Sequence, residues 1–221
     1  MRATAGRQPC GDGVSAPPLT VLTASPQEEA AIRAAVREAR GLGALSGGRV
    51  CANLSHVDGA LALLADPKVS DPVYDLPRPF TRENVTVWIE AAMARQARGE
   101  GILTFSTDEA GDIVGYGDLI VWPDRASGEI GGAMRADRQS AGQGARGFAE
   151  MADWAFEVIG IRLMGLTAAL DNVRSQRMID GAGFQRMGER DSVRPDGTVR
   201  RSVYWELTRE AWRQMRGNPR A

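Results

Sequence analysis

The stretch Gln139-Ser140-Ala141-Gly142-Gln143-Gly144-Ala145 decides how this chain is read. It follows a strand-like run from Glu129 to Met134. It opens a helical pattern from Ala145 to Ile159, where Phe148, Met151, Ala152, Ala155, Val158 and Ile159 make one apolar face. A strand, a glycine-punctuated turn and a helix start together form an anion cradle. The first-turn N–H groups have no acceptor inside the helix, and the helix dipole favours negative charge there. Glycine at 142 and 144 removes the Cβ that would hold a phosphate away from the main chain. Gly147 is out of place by this logic, because the first turn calls for a better helix former.

Outward from the loop, the pattern alternates in a way that defines a mixed sheet. On its N-terminal side, Ile102 to Thr107, Ile113 to Trp122 and the run from Glu129 are strands separated by polar turns. Three consecutive strands joined by turns pair antiparallel, whereas the strand–helix–strand unit over residues 129–170 requires one parallel crossover. On the C-terminal side, Arg162 to Leu170 is a buried-type strand. A short helix from about Val173 is ended by Gly183, and Phe184 begins another strand. Pro195-Asp196-Gly197-Thr198 makes a hairpin turn, and a short basic helix runs from about Arg209 to Arg216. The fold class is therefore α/β (α+β), with a mixed, mostly antiparallel sheet flanked by helices.

Further upstream the main domain opens at residue 49 and runs to 216. Val50, Ala52 and Leu54 alternate as a strand, a helix follows from about Ser55, and Asp66-Pro67 ends it. A loop rich in Pro and Asp leads to Thr81, which caps the helix marked by Trp88, Ile89, Ala92 and Gln96 and ended near Gly99. Residues 1–48 read as a flexible extension carrying one accessory helix. Met1 to about Thr23 has the composition of a mobile tail. Ser25-Pro26-Gln27-Glu28 then opens a helix over 27–40 whose stripe of Ala31, Ile32, Ala35, Val36 and Ala39 is thin enough for a surface helix.

Composition narrows the chemistry. With 43% hydrophobic and 25% charged residues among 221, and a formal charge of −1, the chain has a normal core and no general nucleic-acid surface. No apolar run reaches the length of a membrane span, and the N-terminus lacks a secretory pattern, so the expected compartment is cytoplasmic. Two cysteines, Cys10 and Cys51, do not make a disulfide framework, and one histidine, His56, with two scattered cysteines argues against a zinc site. No metal is expected. His56 reads as a helix-start residue, and no nucleophile motif accompanies it.

Four motifs in order carry a family resemblance. They are Pro79-Phe80-Thr81-Arg82-Glu83, the loop Gln139-x-x-Gly142-x-Gly144, the block Asp171-Asn172-Val-Arg-Ser175 followed by Gly183-Phe184, and the Asp196-Gly197 hairpin. From about Arg49 to Trp212 the chain resembles the GCN5-related N-acetyltransferases (GNAT), in particular the branch that acetylates the N-termini of ribosomal proteins. The resemblance implies a strongly twisted sheet whose strand before the loop splays from its parallel neighbour, with acetyl-CoA lying in the resulting V. It implies that Met134 and Arg135 offer backbone groups to the pantetheine. Gln139 belongs to the loop motif, Gly142 shapes its turn, and the N–H groups of Gln143, Gly144, Ala145 and Arg146 hold the diphosphate. Asn172 holds the pantetheine or the start of its own helix. Many members place a tyrosine seven residues after that Asn as the acid for the departing thiolate; Ile179 stands there in this chain.

Acetyl transfer needs a neutral amine, a polarised thioester carbonyl and a protonated leaving thiol. Glu129 is the first candidate for the base, against a reading as an edge-strand surface charge. Asp118 is the understudy, against a strand-end solvated charge. Ser175 is the candidate proton donor, against a plain local hydrogen-bonder. The strand N–H near Met134 is placed to polarise the carbonyl. Arg174 and Arg177 are candidates for the 3′-phosphate, and Trp88, Met93 and Tyr116 for the acceptor wall or the core. The run Arg186, Arg190, Arg194, Arg200, Arg201 reads as an attractor for an acidic acceptor or RNA, or as a charge-balanced hairpin. The acceptor is a primary amine: a protein N-terminus, or a small amine such as an amino sugar, aminoglycoside or polyamine. A non-catalytic acyl-CoA-binding module is the reading from another class, and a homodimer through the C-terminal strands stays open.

Overall fold

The computed structural model describes residues 16–139, 143–193 and 197–217. The tail before residue 16, Gly142 and its two predecessors, Arg194 and the Pro195-Asp196 turn lie outside the described residues. Among the described residues seven strands form one sheet in the order β1-β2-β3-β4-β5-β7-β6. They are β1 (Val50–Cys51), β2 (Gly101–Thr107), β3 (Ile113–Trp122), β4 (Ser127–Met134), β5 (Leu163–Ala169), β6 (Gln185–Val193) and β7 (Val199–Thr208). β4 and β5 are the parallel pair, and every other pairing is antiparallel.

The helices divide between the two faces. Helices α1 (Pro26–Glu38), α5 (Gln143–Trp154), α6 (Val173–Gly181) and α7 (Arg209–Gly217) supply one core, in which Ile32, Met151, Phe156, Ile179 and Trp212 pack on Leu119, Leu166 and Trp205 of the sheet. Helices α2 (Val57–Leu64), α3 (Pro67–Ser70) and α4 (Arg82–Arg98) supply the other, in which Val57, Leu64, Val69 and Ile89 pack on Leu103, Phe105 and Tyr116.

Local chemistry explains most boundaries. Ser25 Oγ accepts the Glu28 N–H at 3.1 Å to start α1, and Thr81 Oγ1 accepts the Asn84 N–H at 3.2 Å to start α4. Gly99 ends α4 at φ 76°, a left-handed conformation that glycine adopts without steric cost. His56 Nδ1 accepts the Asn53 N–H at 3.1 Å while Asn53 Oδ1 accepts the Ser55 N–H at 2.9 Å, a helix-start arrangement.

Two details differ from the sequence reading. Asp66-Pro67 ends α2 but also begins α3, because Asp66 Oδ1 caps the Lys68 N–H at 2.9 Å and Pro67 takes the first helical position. The α1 helix is docked rather than superficial. Ile32 and Val36 are fully buried, and Arg33 Nη1 and Arg37 Nε donate to the Arg98 and Ala97 carbonyls at 3.0 and 3.1 Å. Its narrow stripe suffices because Ala35 and Val36 are small enough for close approach, and the arginines satisfy the open C-terminal carbonyls of α4.

Candidate active site

The pleat assigns each polar side chain of the central strands to a face. Ile120 opposes Glu129 and Asp118 opposes Gly131, so Asp118 and Glu129 share the α2/α4 face. Gly117, Ile130 and Gly132 face α5. The β4–β5 pairing covers only Ser127↔Leu163 to Glu129↔Gly165, although β4 continues to Met134 and β5 to Ala169. Beyond Glu129 the two strands therefore separate into a V.

A cavity of about 380 Å³ occupies this V. Residues 130–134 and 166–168 form its rims. Tyr74, Asp75, Tyr116, Asp118, Glu129 and Arg200 line its α2/α4 half. Arg49, Gly144, Gly147, Phe148, Asn172 and Ser175 are among those lining its α5/α6 half. Lining from both faces means the cavity passes through the gap between the strands.

The structure thus brings Glu129, Met134, Gln139, Gly144, Asn172 and Ser175 together around one cavity. The Arg135 N–H donates to the Val114 carbonyl at 2.8 Å, which directs the Met134 N–H and C=O away from β3 and toward the gap. The Met134 carbonyl accepts Gln139 Nε2 at 2.8 Å, and Arg174 Nη1 holds Gln139 Oε1 at 2.7 Å. Arg174 also donates to the Gln139 carbonyl. Gln139 therefore bridges the end of β4 and the start of α6, and Arg174 is committed to it.

Arg135 does not fit the role expected of it. Its N–H is held by Val114, its carbonyl accepts the Arg138 N–H at 2.9 Å, and its side chain is paired with Asp137 at 2.8 Å. The 3₁₀ turn Ala136–Arg138 engages the groups that the resemblance left open. Gln143, Gly144, Ala145 and Arg146 form the first turn of α5, where N–H groups lack intrahelical acceptors. The Arg146 side chain pairs with Glu150 at 3.1 Å. Asn172 Oδ1 accepts the Ser175 N–H at 3.1 Å, so Asn172 caps α6, and Ser175 is half-buried at its first turn.

Glu129 is not an edge-strand surface charge. It sits on β4 between β3 and β5, is only 8% exposed, and accepts the Thr167 hydroxyl at 3.1 Å. Asp118 is equally buried and ion-paired with Arg95 on α4, rather than solvated at a strand end. Burial pushes the Asp118 carboxyl up, with Arg95 opposing. Asp75, in the Pro- and Asp-rich loop before α4, completes a wall of carboxylates that sequence spacing had not signalled. Burial and then the neighbouring Asp118 charge push it up to about 6. Tyr116 lines the same wall, whereas Trp88 packs edge-on to Tyr116 and Phe105 in the core and Met93 is exposed.

The arginine run is balanced internally where it is described. Arg186 pairs with Asp180 at 2.6 Å, Arg201 pairs with Glu189 at 2.7 Å, and Arg190 stacks 4.7 Å from the Tyr204 ring centre. Arg200 donates to the Pro72 carbonyl at 2.9 Å and also reaches the cavity wall.

The site is thus a mixed sheet opened between its parallel strands, with a helix N-terminus and a carboxylate wall at the opening. The family model described as "Acetyltransferase (GNAT) domain" matches residues 52–185, and the chain belongs to this family of N-acetyltransferases, enzymes that move an acetyl group from acetyl-CoA to an amine. Solved structures agree on the fold. A ribosomal-protein-S5-alanine acetyltransferase from Vibrio fischeri superposes with a TM-score of 0.63 at 15% identity, covering 74% of this chain and 93% of that one. A spermidine N-acetyltransferase chimera from Vibrio cholerae gives 0.62 at 12% identity, covering 74% and 96%. A GCN5-related N-acetyltransferase from Brucella melitensis gives 0.61 at 19% identity, covering 76% and 78%. Among functionally curated proteins none matches the chain significantly. No helix among the described residues is long and apolar enough to cross a membrane.

Proposed function

We propose that the protein acetylates the free α-amine of a polypeptide, which enters the cavity from the Asp118–Glu129 face while acetyl-CoA occupies the α5/α6 half. The observation that carries this is the pleat itself: it sorts carboxylates to one side of the gap and a helix N-terminus to the other. The residues present fit acetyl-CoA. A Cβ on Gly144 would meet nothing within 4 Å, so the first turn of α5 is open to a ligand. The Met134 backbone is aimed into the gap, and Asn172 and Ser175 border it.

When bound, acetyl-CoA supplies a thioester activated for attack by a neutral amine. This chain's residues do the rest. Glu129 takes the ammonium proton, since the Asp118 carboxylate is already engaged by Arg95. The Met134 N–H donates to the thioester carbonyl oxygen, and the Ser175 hydroxyl donates to the departing sulfur. Transfer is direct. Cys51 lies on the edge strand β1, and burial pushes its thiol up, away from nucleophilic form. The acceptor half also carries Lys68 and Arg200. That mixture suits one cation followed by carbonyl groups, as in a peptide, better than a polyamine with several positive charges.

The test is thiol release from acetyl-CoA with a panel of free and Nα-blocked peptides, spermidine and an aminoglycoside, with products identified by mass spectrometry. Free peptides should be acetylated and Nα-blocked ones should not. Preferential turnover of a small amine overturns the acceptor assignment. Binding of CoA without turnover of any amine favours the non-catalytic module.

A further inference from the structure

Arg49 lines the cavity from the α5 side. It precedes β1 at the sheet edge and reaches across β2 to the α5 side of β3. A Cβ on Gly117 would lie 3.0 Å from Arg49 Nη1, and one on Gly147 would lie 3.4 Å from Nη2. The guanidinium thus fills a slot with glycine on both walls, β3 beneath and the start of α5 above. Its Nε is buried without a hydrogen-bond partner. Among the described residues no hydrogen bond or ion pair uses this guanidinium. Glu150 acts on it only at longer range, and that carboxylate is already bonded to Arg146 and Ser46. Burial pushes the guanidinium below its ordinary value.

Such a cation is unfavourable where it sits. It is partly desolvated without a partner among the described residues, and it lies near the positive end of α5. The chain nevertheless makes room for it at Gly117, where a Cβ would come within 3.0 Å of Nη1, and leaves the α5 side bare at Gly147. An anion in the cavity would reverse both penalties at once, and the cavity opens beside the same first turn.

We infer that Arg49 binds a phosphate group of the CoA moiety, from a slot built for it by Gly117 and Gly147. The inference rests on acetyl-CoA being the donor. It explains why a half-buried arginine has no hydrogen-bond or ion-pair partner among the described residues.

Calorimetry on the full chain tests it with four ligands: CoA, dephospho-CoA, 4′-phosphopantetheine and pantetheine. Arg49→Met should weaken CoA by about ten- to a hundredfold, the loss of one charge-assisted bond, and should leave pantetheine unchanged. A loss retained with dephospho-CoA assigns the contact to the diphosphate; a loss that vanishes assigns it to the 3′-phosphate. The unliganded Arg49→Met protein should melt no lower than wild type, because an unpaired buried charge has been removed. A lower melting point with unchanged CoA affinity makes Arg49 structural and overturns the inference, as does equal weakening of pantetheine. Gly117→Ala is the second variant: its Cβ would come within 3.0 Å of Arg49 Nη1, so it should weaken CoA and leave pantetheine unchanged, and unchanged CoA affinity counts against the slot. Wild-type protein that binds CoA while Arg49→Met binds it equally sinks the role of Arg49 alone. Wild-type protein that binds none of the four sinks the donor reading as well.

Discussion

Glu129→Gln is the substitution on which the proposed chemistry stands or falls. Glu129 is 8% exposed and held between Ile120 of β3 and Gly165 of β5, so a side chain of equal volume is needed to leave the strands in place. Glutamine meets that condition, and its amide oxygen can keep the Thr167 hydroxyl bond of 3.1 Å. The change removes a negative charge from a wall shared with Asp118 and Asp75, so the fold should be as stable as before or more so. What is lost is the proton acceptor. A positioned general base contributes about 10²–10⁴ in rate, or about 2.7–5.5 kcal/mol of the barrier. Asp118 is the diagonal neighbour across β3–β4, about 7–8 Å away, and its charge is held by Arg95. It can serve only as a poor substitute, which places the expected loss in kcat near the lower end, about a hundredfold. The measurement is steady-state thiol release across the neutral pH range, with CoA affinity from calorimetry in parallel. Turnover should fall while CoA affinity holds, since CoA is assigned to the other face of the sheet. Wild-type turnover with unaltered CoA affinity would refute the assignment of the base.

Four further outcomes follow from the geometry. Ile32→Ala should cost about 2–4 kcal/mol in denaturant unfolding, because Ile32 is 1% exposed within the core; a loosely attached helix would lose under about 0.5 kcal/mol. Asp75 has its carboxyl raised from 3.8 to about 6, so the folded state holds a proton that the unfolded chain releases, and stability should fall as pH rises through that window. The decline, about 1–2 kcal/mol after allowing for the partial exposure of Asp75, should vanish in Asp75→Asn. Ser175→Ala keeps the N–H that Asn172 caps and should lower kcat about tenfold; an unchanged kcat would leave Ser175 as a local hydrogen-bonder. Gly132→Ala would place a Cβ 2.6 Å from the Tyr116 carbonyl oxygen, and the strain should cost about 1–3 kcal/mol in the same unfolding assay.

The order of elements was readable because it depends on neighbours in the chain. Ser25 and Thr81 cap helices within three residues, and Gly99 turns the chain where it stands. The helix after β5 was readable for the same reason, with Asn172 as its cap. The depth to which α1 is buried was not, since its narrow stripe says nothing about the arginines that tie it to α4. Arg135 was misread because the 3₁₀ turn behind it engages its main chain. Asp75 went unnoticed in a loop with no period to mark it, and nothing in the sequence near Arg49 signalled that it reaches Gly117 and Gly147.

By itself, then, the amino-acid sequence determined the succession of strands and helices, the single parallel crossover and the chemical character of the loop, because each is a property of a short window of chain. Only the tertiary structure decided that β4 leaves β5 after Glu129, that the pleat turns Asp118 and Glu129 to one side of the opening, and that Asp75 and Arg49 come to that opening from distant segments. Strand divergence and through-space charge are set by packing between elements remote in sequence, and no local pattern encodes them.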